Sequence, residues 1–150
     1  MNKKELYKYV ESHIRAKLDF LCDYEIFVDY NRINRYSNYG DLQINYENKS
    51  INRFLEVWYM HKNGKGEISD TFDFWIDKGD GHSGFFVKNY MLFIQKKEIK
   101  YLCLNSFEGI FEEKLDKLLD YVVNILQTYL IPVLKGEEWV DVPTNWYGTR

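Results

Sequence analysis

The hydrophobic period of this chain changes twice, and those two changes confine it to a mixed architecture. Leu6, Val10, Ile14 and Leu18 recur every four residues, with Tyr7 and Leu21 beside them and Lys4, Lys8, Glu11 and Arg15 elsewhere on the wheel. That is an amphipathic helix with one face turned to a core, over about residues 3–20, with Asn2 as its N-cap. The period then drops to two. Glu25-Ile26-Phe27-Val28 reads as a short strand, and Leu42, Ile44 and Tyr46 alternate with Gln43, Asn45 and Glu47. Phe54 to Met60 is apolar nearly throughout, as a central strand should be, and Lys62-Asn63-Gly64-Lys65-Gly66 supplies a tight reversal. Ile68, Phe72, Phe74 and Ile76 then oppose Ser69, Thr71, Asp73 and Trp75, and Asp77 to Gly84 is a second turn region. Phe85 to Gln95 and Ile99 to Leu104 are expected to complete an antiparallel meander of five to six strands.

A four-residue period returns from Phe107 to about Ile131, through Phe111, Leu115, Leu118, Leu119, Val122, Ile125, Leu126, Tyr129 and Leu130. Asn105 or Ser106 is the expected cap, Glu108 sits where it favours the helix start, and Pro132 ends or kinks the helix. Beyond Gly136 lies an irregular tail in which Trp139, Val140, Val142, Trp146 and Tyr147 are apolar enough to pack back on the body. The expected fold is α+β: an N-terminal helix, a β-meander, a long C-terminal helix packed on the same sheet face, and a Trp-rich tail. With no repeat or linker in its 150 residues, the chain reads as one globular domain, 1–150, able to bury about 70% of its unfolded surface.

Cys22 and Cys103 are isolated in apolar stretches, which suits reduced core thiols and a cytoplasmic protein. No apolar run follows the basic start. Tyr121 to Leu134, the longest apolar stretch, is broken by Asn124, Gln127 and Thr128 and falls short of the roughly 20 residues of a membrane span. Phe, Tyr, Met, Ile, Asn and Lys supply 65 residues while Gly, Ala, Arg and Pro supply 17. This bias follows A/T-rich codons, points to a low-GC bacterial genome, and removes much of the tyrosine and lysine excess as a functional signal.

Gly79-Asp80-Gly81-His82-Ser83-Gly84 matches G-x-G-x-x-G, but β-prone Phe85-Phe86-Val87 follows where a phosphate-binding helix should begin, so it reads as a reverse turn. Asp73, Asp77, Asp80 and His82 lack the ordered oxygen ligands of a calcium loop, and His13, His61 and His82 have no metal-ligand spacing. No cofactor, metal or catalytic motif emerges, and the chain reads as a non-enzyme.

Two constellations remain. Glu108, Glu112, Asp116 and Asp120, spaced by four, are expected to stack on one solvent-facing helical stripe as a docking surface for a basic partner. The polar segment from Tyr30 to Tyr39 carries Arg32, Arg35, Tyr36 and Tyr39, with Arg53 expected nearby; it reads as a partner-binding loop, because Tyr and Arg dominate interface hot spots. A net charge of −3 argues against nucleic acid.

In size, acidity, aromatic content and element order, the chain resembles the immunity proteins of bacterial toxin systems; no motif carries the resemblance. It implies stoichiometric inhibition, in which the chain binds a cognate toxin domain, often a basic nuclease, and blocks its active site. The rival expectations are an acidic secretion chaperone and a small-ligand protein whose Trp58, Trp75, Phe72, Phe74 and Phe86 line a cavity.

Overall fold

A computed structural model describes residues 1–34 and 37–143. Helix α1 (Lys3–Lys17) leads into five strands, β1 (Glu25–Asn34), β2 (Ser37–Asn48), β3 (Arg53–Lys62), β4 (Ile68–Asp77) and β5 (Gly84–Phe86). Helix α2 (Val87–Phe93), a 3-10 turn at Leu104–Ser106, helix α3 (Phe111–Tyr129) and the single turn α4 (Ile131–Leu134) follow. The strands lie in chain order, every neighbour antiparallel. The expected α+β meander with terminal helices is therefore the architecture, and the Asn2 side chain caps α1 by accepting from the Glu5 amide at 2.8 Å.

One sheet face is the core. Leu42, Ile44 and Tyr46 of β2, Leu55, Val57 and Tyr59 of β3, and Phe72, Phe74 and Ile76 of β4 are all buried, as strict alternation requires. Against them pack Tyr7, Val10 and Ile14 of α1 and Leu115, Leu118, Val122 and Leu126 of α3. Tyr7 meets Tyr59 edge-on at 5.7 Å, and its hydroxyl donates to the Gly40 carbonyl at 2.7 Å.

Several expectations are corrected. Residues 85–95 hold the last two residues of β5 and then α2, because Val87, Tyr90 and Met91 are spaced by three and four and bury one helical stripe. Residues 99–104 make only an isolated bridge, Thr71 to Cys103, with the Phe72 amide donating to the Leu102 carbonyl at 2.8 Å. Helix α3 begins at Phe111, since Gly109 takes φ +117°; its first turn is held by the Glu113 carboxylate, which accepts from the Ile110 amide at 3.0 Å, with no part for Asn105 or Ser106 as cap. Pro132 does divide α3 from α4.

Arg53 lies at the sheet end away from the β1–β2 hairpin. It is buried and donates to the carbonyls of Val133 at 2.7 Å and Glu138 at 2.9 Å, with its guanidinium 5.1 Å from the Trp139 ring centroid. Trp139, Val140 and Val142 pack on the core as the sequence suggests; Trp146 and Tyr147 lie outside the described residues.

Candidate interaction face

The carboxylate stripe is shorter than expected and turned toward α1. Glu108 precedes α3, and its backbone carbonyl accepts from Lys117 Nζ at 2.7 Å. Glu112 lies 3.8 Å from His13, while Asp116 and Asp120 face Lys17 at 3.9 and 2.8 Å. Three exposed carboxylates thus form a seam between the two helices, which explains why like charges are tolerated at that spacing.

The described residues from Tyr30 to Tyr39 are strand, not loop: β1 runs to Asn34 and β2 starts at Ser37, paired antiparallel, with register shifts on either side of Arg32. Those bulges break the alternation from which a strand is read. Tyr30 donates to Glu11 of α1, and Lys3 holds the Tyr39 carbonyl and the Asn31 side chain. Arg32 is exposed opposite Asp41. Arg35 and Tyr36 lie outside the described residues.

The five aromatics proposed for one cavity fall on opposite sides of the sheet. Phe72 and Phe74 are in the core, whereas Trp58 and Trp75 project from the other face, which no helix among the described residues covers. Register sets that face out in three cross-strand rows. The first reads Glu25, Glu47, Phe54, Asp77, Gly84; the second Phe27, Asn45, Glu56, Trp75, Phe86; the third Asp29, Gln43, Trp58, Asp73. Six carboxylates and five aromatic rings share these rows with no basic side chain. Lys88, from α2, reaches them, 3.9 Å from Asp73 and 5.5 Å from the Phe86 ring centroid.

Packing makes the rings into a surface. Trp58 and Trp75 both meet Phe86 nearly edge-on, at 5.7 and 4.9 Å, so Phe86 is a buried floor under two half-buried indoles. Trp75 Nε1 donates to Asp77 at 2.9 Å. Two glycines of the turn region have a purpose here: a Cβ on Gly84 would sit 2.2 Å from Trp75, and one on Gly79 2.5 Å from Phe54. The G-x-G-x-x-G string is indeed a turn, with Asp80 accepting from the His82 and Ser83 amides at 2.8 and 2.7 Å. Those amides hold the Asp80 carboxyl well below its usual range. Asp77 shifts the other way, because burial raises its pKa by more than the hydrogen bonds from the Gly79 amide and the Trp75 indole lower it.

At the β4 margin the face opens into a groove of about 670 Å³, walled by Met60, Thr71, Asp73, Leu92, Ile99 and Tyr101. Tyr101 is 69% exposed and Phe27, at the opposite margin, 47%. Elsewhere, Tyr59 donates to Asp70 at 2.5 Å and His61 lies 2.7 Å from the same oxygen. Asp70 has φ +47° beside the β3–β4 register shift, so this trio closes a bulge. Among the described residues no group of three or more His, Cys, Asp or Glu is placed to hold a metal, and no helix is long and apolar enough to cross a membrane.

The open face was missed because the continuous apolar run in β3 imitates a strand buried on both sides. The available signal was a tryptophan, Trp75, on the polar side of an alternating strand. A scan against protein-family models finds no match, and comparison with curated proteins and with solved structures finds none either.

Proposed function

We propose that this chain is a non-enzymatic protein-binding domain that acts as an immunity protein, neutralising a cognate bacterial toxin of basic surface by covering its active site. The observation that carries this reading is the open sheet face, where six carboxylates and five aromatic rings stand in three rows. Aromatic rings on a rigid sheet offer large contact area at little entropic cost, and interleaved carboxylates select and steer a basic partner. The seam of Glu112, Asp116 and Asp120 adds negative potential on the helical side.

Co-expression with the product of the neighbouring reading frame tests this. The expected result is restored growth where that product alone is toxic, and a stoichiometric complex in which Glu47→Lys with Glu56→Lys, still folded by circular dichroism, abolishes binding. Neighbouring products that are neither bound nor inhibited overturn the reading.

A further inference from the structure

The two edges of the sheet are finished differently. On the β4 side, β5 pairs with Trp75, Ile76 and Asp77, and farther along the Phe72 amide donates to the Leu102 carbonyl at 2.8 Å beside the Thr71 to Cys103 bridge. On the other side β1 ends the strand order, and among the described residues no backbone group pairs with its outer edge. Resting on the reading of the chain as a protein-binding domain, we propose that β1, from Glu25 to Asp29, accepts an extended segment of the partner as a sixth antiparallel strand, one that alternates apolar with basic side chains. Pairing of this kind draws affinity from the main chain and specificity from alternate side chains.

Alternation across the sheet fixes which backbone groups face outward. Phe72 turns its N–H away from β3, so Thr71, Asp73 and Trp75 are the residues that bond to β3, through Met60, Trp58 and Glu56. Leu55, Val57 and Tyr59 are then left to bond to β2, which in turn leaves Glu47, Asn45 and Gln43 to bond to Glu25, Phe27 and Asp29. The N–H and C=O groups of Ile26 and Val28 therefore point away from the sheet. The stretch from Glu25 to Asp29 keeps an unbroken register and contains neither lysine nor proline, and the bulges that twist an edge away begin only beyond Asp29.

The side chains specify the segment. Ile26 and Val28 are half-buried and pack on the core, whereas Glu25, Phe27 and Asp29 are exposed on the opposite face. An added strand thus meets apolar groups at two positions and carboxylates at the two that flank Phe27. Glu25 already stands opposite Glu47, and like charges directly opposed destabilise a sheet. Among the described residues neither carboxylate has an ion-pair partner. A lysine or arginine opposite Glu25 relieves that repulsion. A second copy of the chain adds to it: when Ile26 and Val28 of one copy meet Val28 and Ile26 of another, Glu25 is set against Asp29 twice.

The test is amide hydrogen exchange, read by nuclear magnetic resonance on the isotope-labelled full chain, with the acetylated and amidated peptide Lys-Val-Thr-Val-Arg as probe. In the free protein the Ile26 and Val28 amides are expected to exchange quickly while that of Phe27 is protected. The peptide should slow both and shift their signals saturably, and the acidic peptide Glu-Val-Thr-Val-Glu should do neither. Val28→Pro removes an outward N–H but no bond to β2, so the variant should fold and lose the peptide. Glu25→Lys should weaken binding about fivefold, a cross-strand attraction turned into a repulsion. Ile26 and Val28 amides protected in the free protein, a basic peptide that leaves them unmoved, equal binding of the acidic peptide, or undiminished binding by both variants overturn the edge. The edge and the wider reading fail separately. An inhibitory complex with the neighbouring product in which these two amides exchange as in the free protein overturns the edge alone; a peptide that docks there while no neighbouring product is bound or inhibited overturns the wider reading alone.

Discussion

Strand β3 sends large apolar side chains to both sides of the sheet, and the two sides have opposite fates. Leu55, Val57 and Tyr59 are at most 1% exposed beneath α1 and α3, whereas Phe54, Trp58 and Met60 remain half-buried, with no helix among the described residues over them. Apolar content does not separate them; what lies between the rings does. On the core side the neighbours across the strands are Leu, Ile, Val, Phe and Tyr, so a helix docks without stripping water from any charge. On the open side Glu47, Glu56, Asp73 and Asp77 alternate with the rings. A layer placed there must desolvate carboxylates, and that cost stands unless the layer brings cations. Among the described residues, the helices accordingly lie on the apolar side of the sheet.

This contrast breaks most directly at neighbouring residues on one strand. Phe74→Ala, on the core side of β4, is expected to cost about 4 kcal/mol in urea unfolding, through lost transfer energy and a residual cavity. Trp75→Ala, one residue on, is expected to cost about 1 kcal/mol although it removes the larger side chain. Equal costs would abolish the distinction.

Alkaline unfolding sharpens it next. Burial pushes the Tyr46 hydroxyl on the core side up to about 12 from an ordinary 10.0, with Tyr24 raised to about 12 for the same reason. Their neutral forms are the ones the fold stabilises. That contribution is full below pH 10 and is lost as pH rises toward 12. Urea unfolding at stepped pH, read with tyrosinate absorbance, should show this fall, and Tyr46→Phe should make it shallower.

The open face should respond to acid instead, and in binding. The raised pKa of Asp77 means that part of its charge is missing just above the ordinary carboxylate range. A cationic partner favours the ionised form, so affinity should strengthen as pH rises through that range, and Asp77→Asn should flatten the profile in calorimetric titrations. The smallest expected effect is at the margin: Phe27→Ala should change stability by less than about 0.5 kcal/mol, within the ordinary range for surface sites.

Much of this fold was legible in the sequence. Four-residue spacing in Leu6 to Leu18 and in Leu115 to Leu126, and two-residue spacing in Leu42 to Tyr46 and Phe72 to Ile76, report which residues touch the core, and the structure places them there. The pattern misled where burial and period part company. Phe85-Phe86-Val87 looks like strand by side-chain type, yet Val87 to Phe93 is helical, because Tyr90 and Met91 find the core only at helical spacing. The site was less legible still. Glu108 to Asp120 shows its spacing in the sequence but not Lys17 and His13, which come from another helix. The rows of the open face exist only through cross-strand register, which joins residues as distant as Phe27 and Phe86 and leaves no local mark.

The strand order has a consequence for how the molecule comes into being. In a meander every strand finds its partner in the segment made just before it, so the sheet can assemble while the chain is still being synthesised, and pairings between near neighbours form fast. Its apolar side must then wait for α3, the last large element to emerge. During that interval the nascent sheet is exposed to aggregation on the side that will become the core. The acidic rows on its reverse keep it charged throughout, and that charge opposes association of one nascent sheet with another.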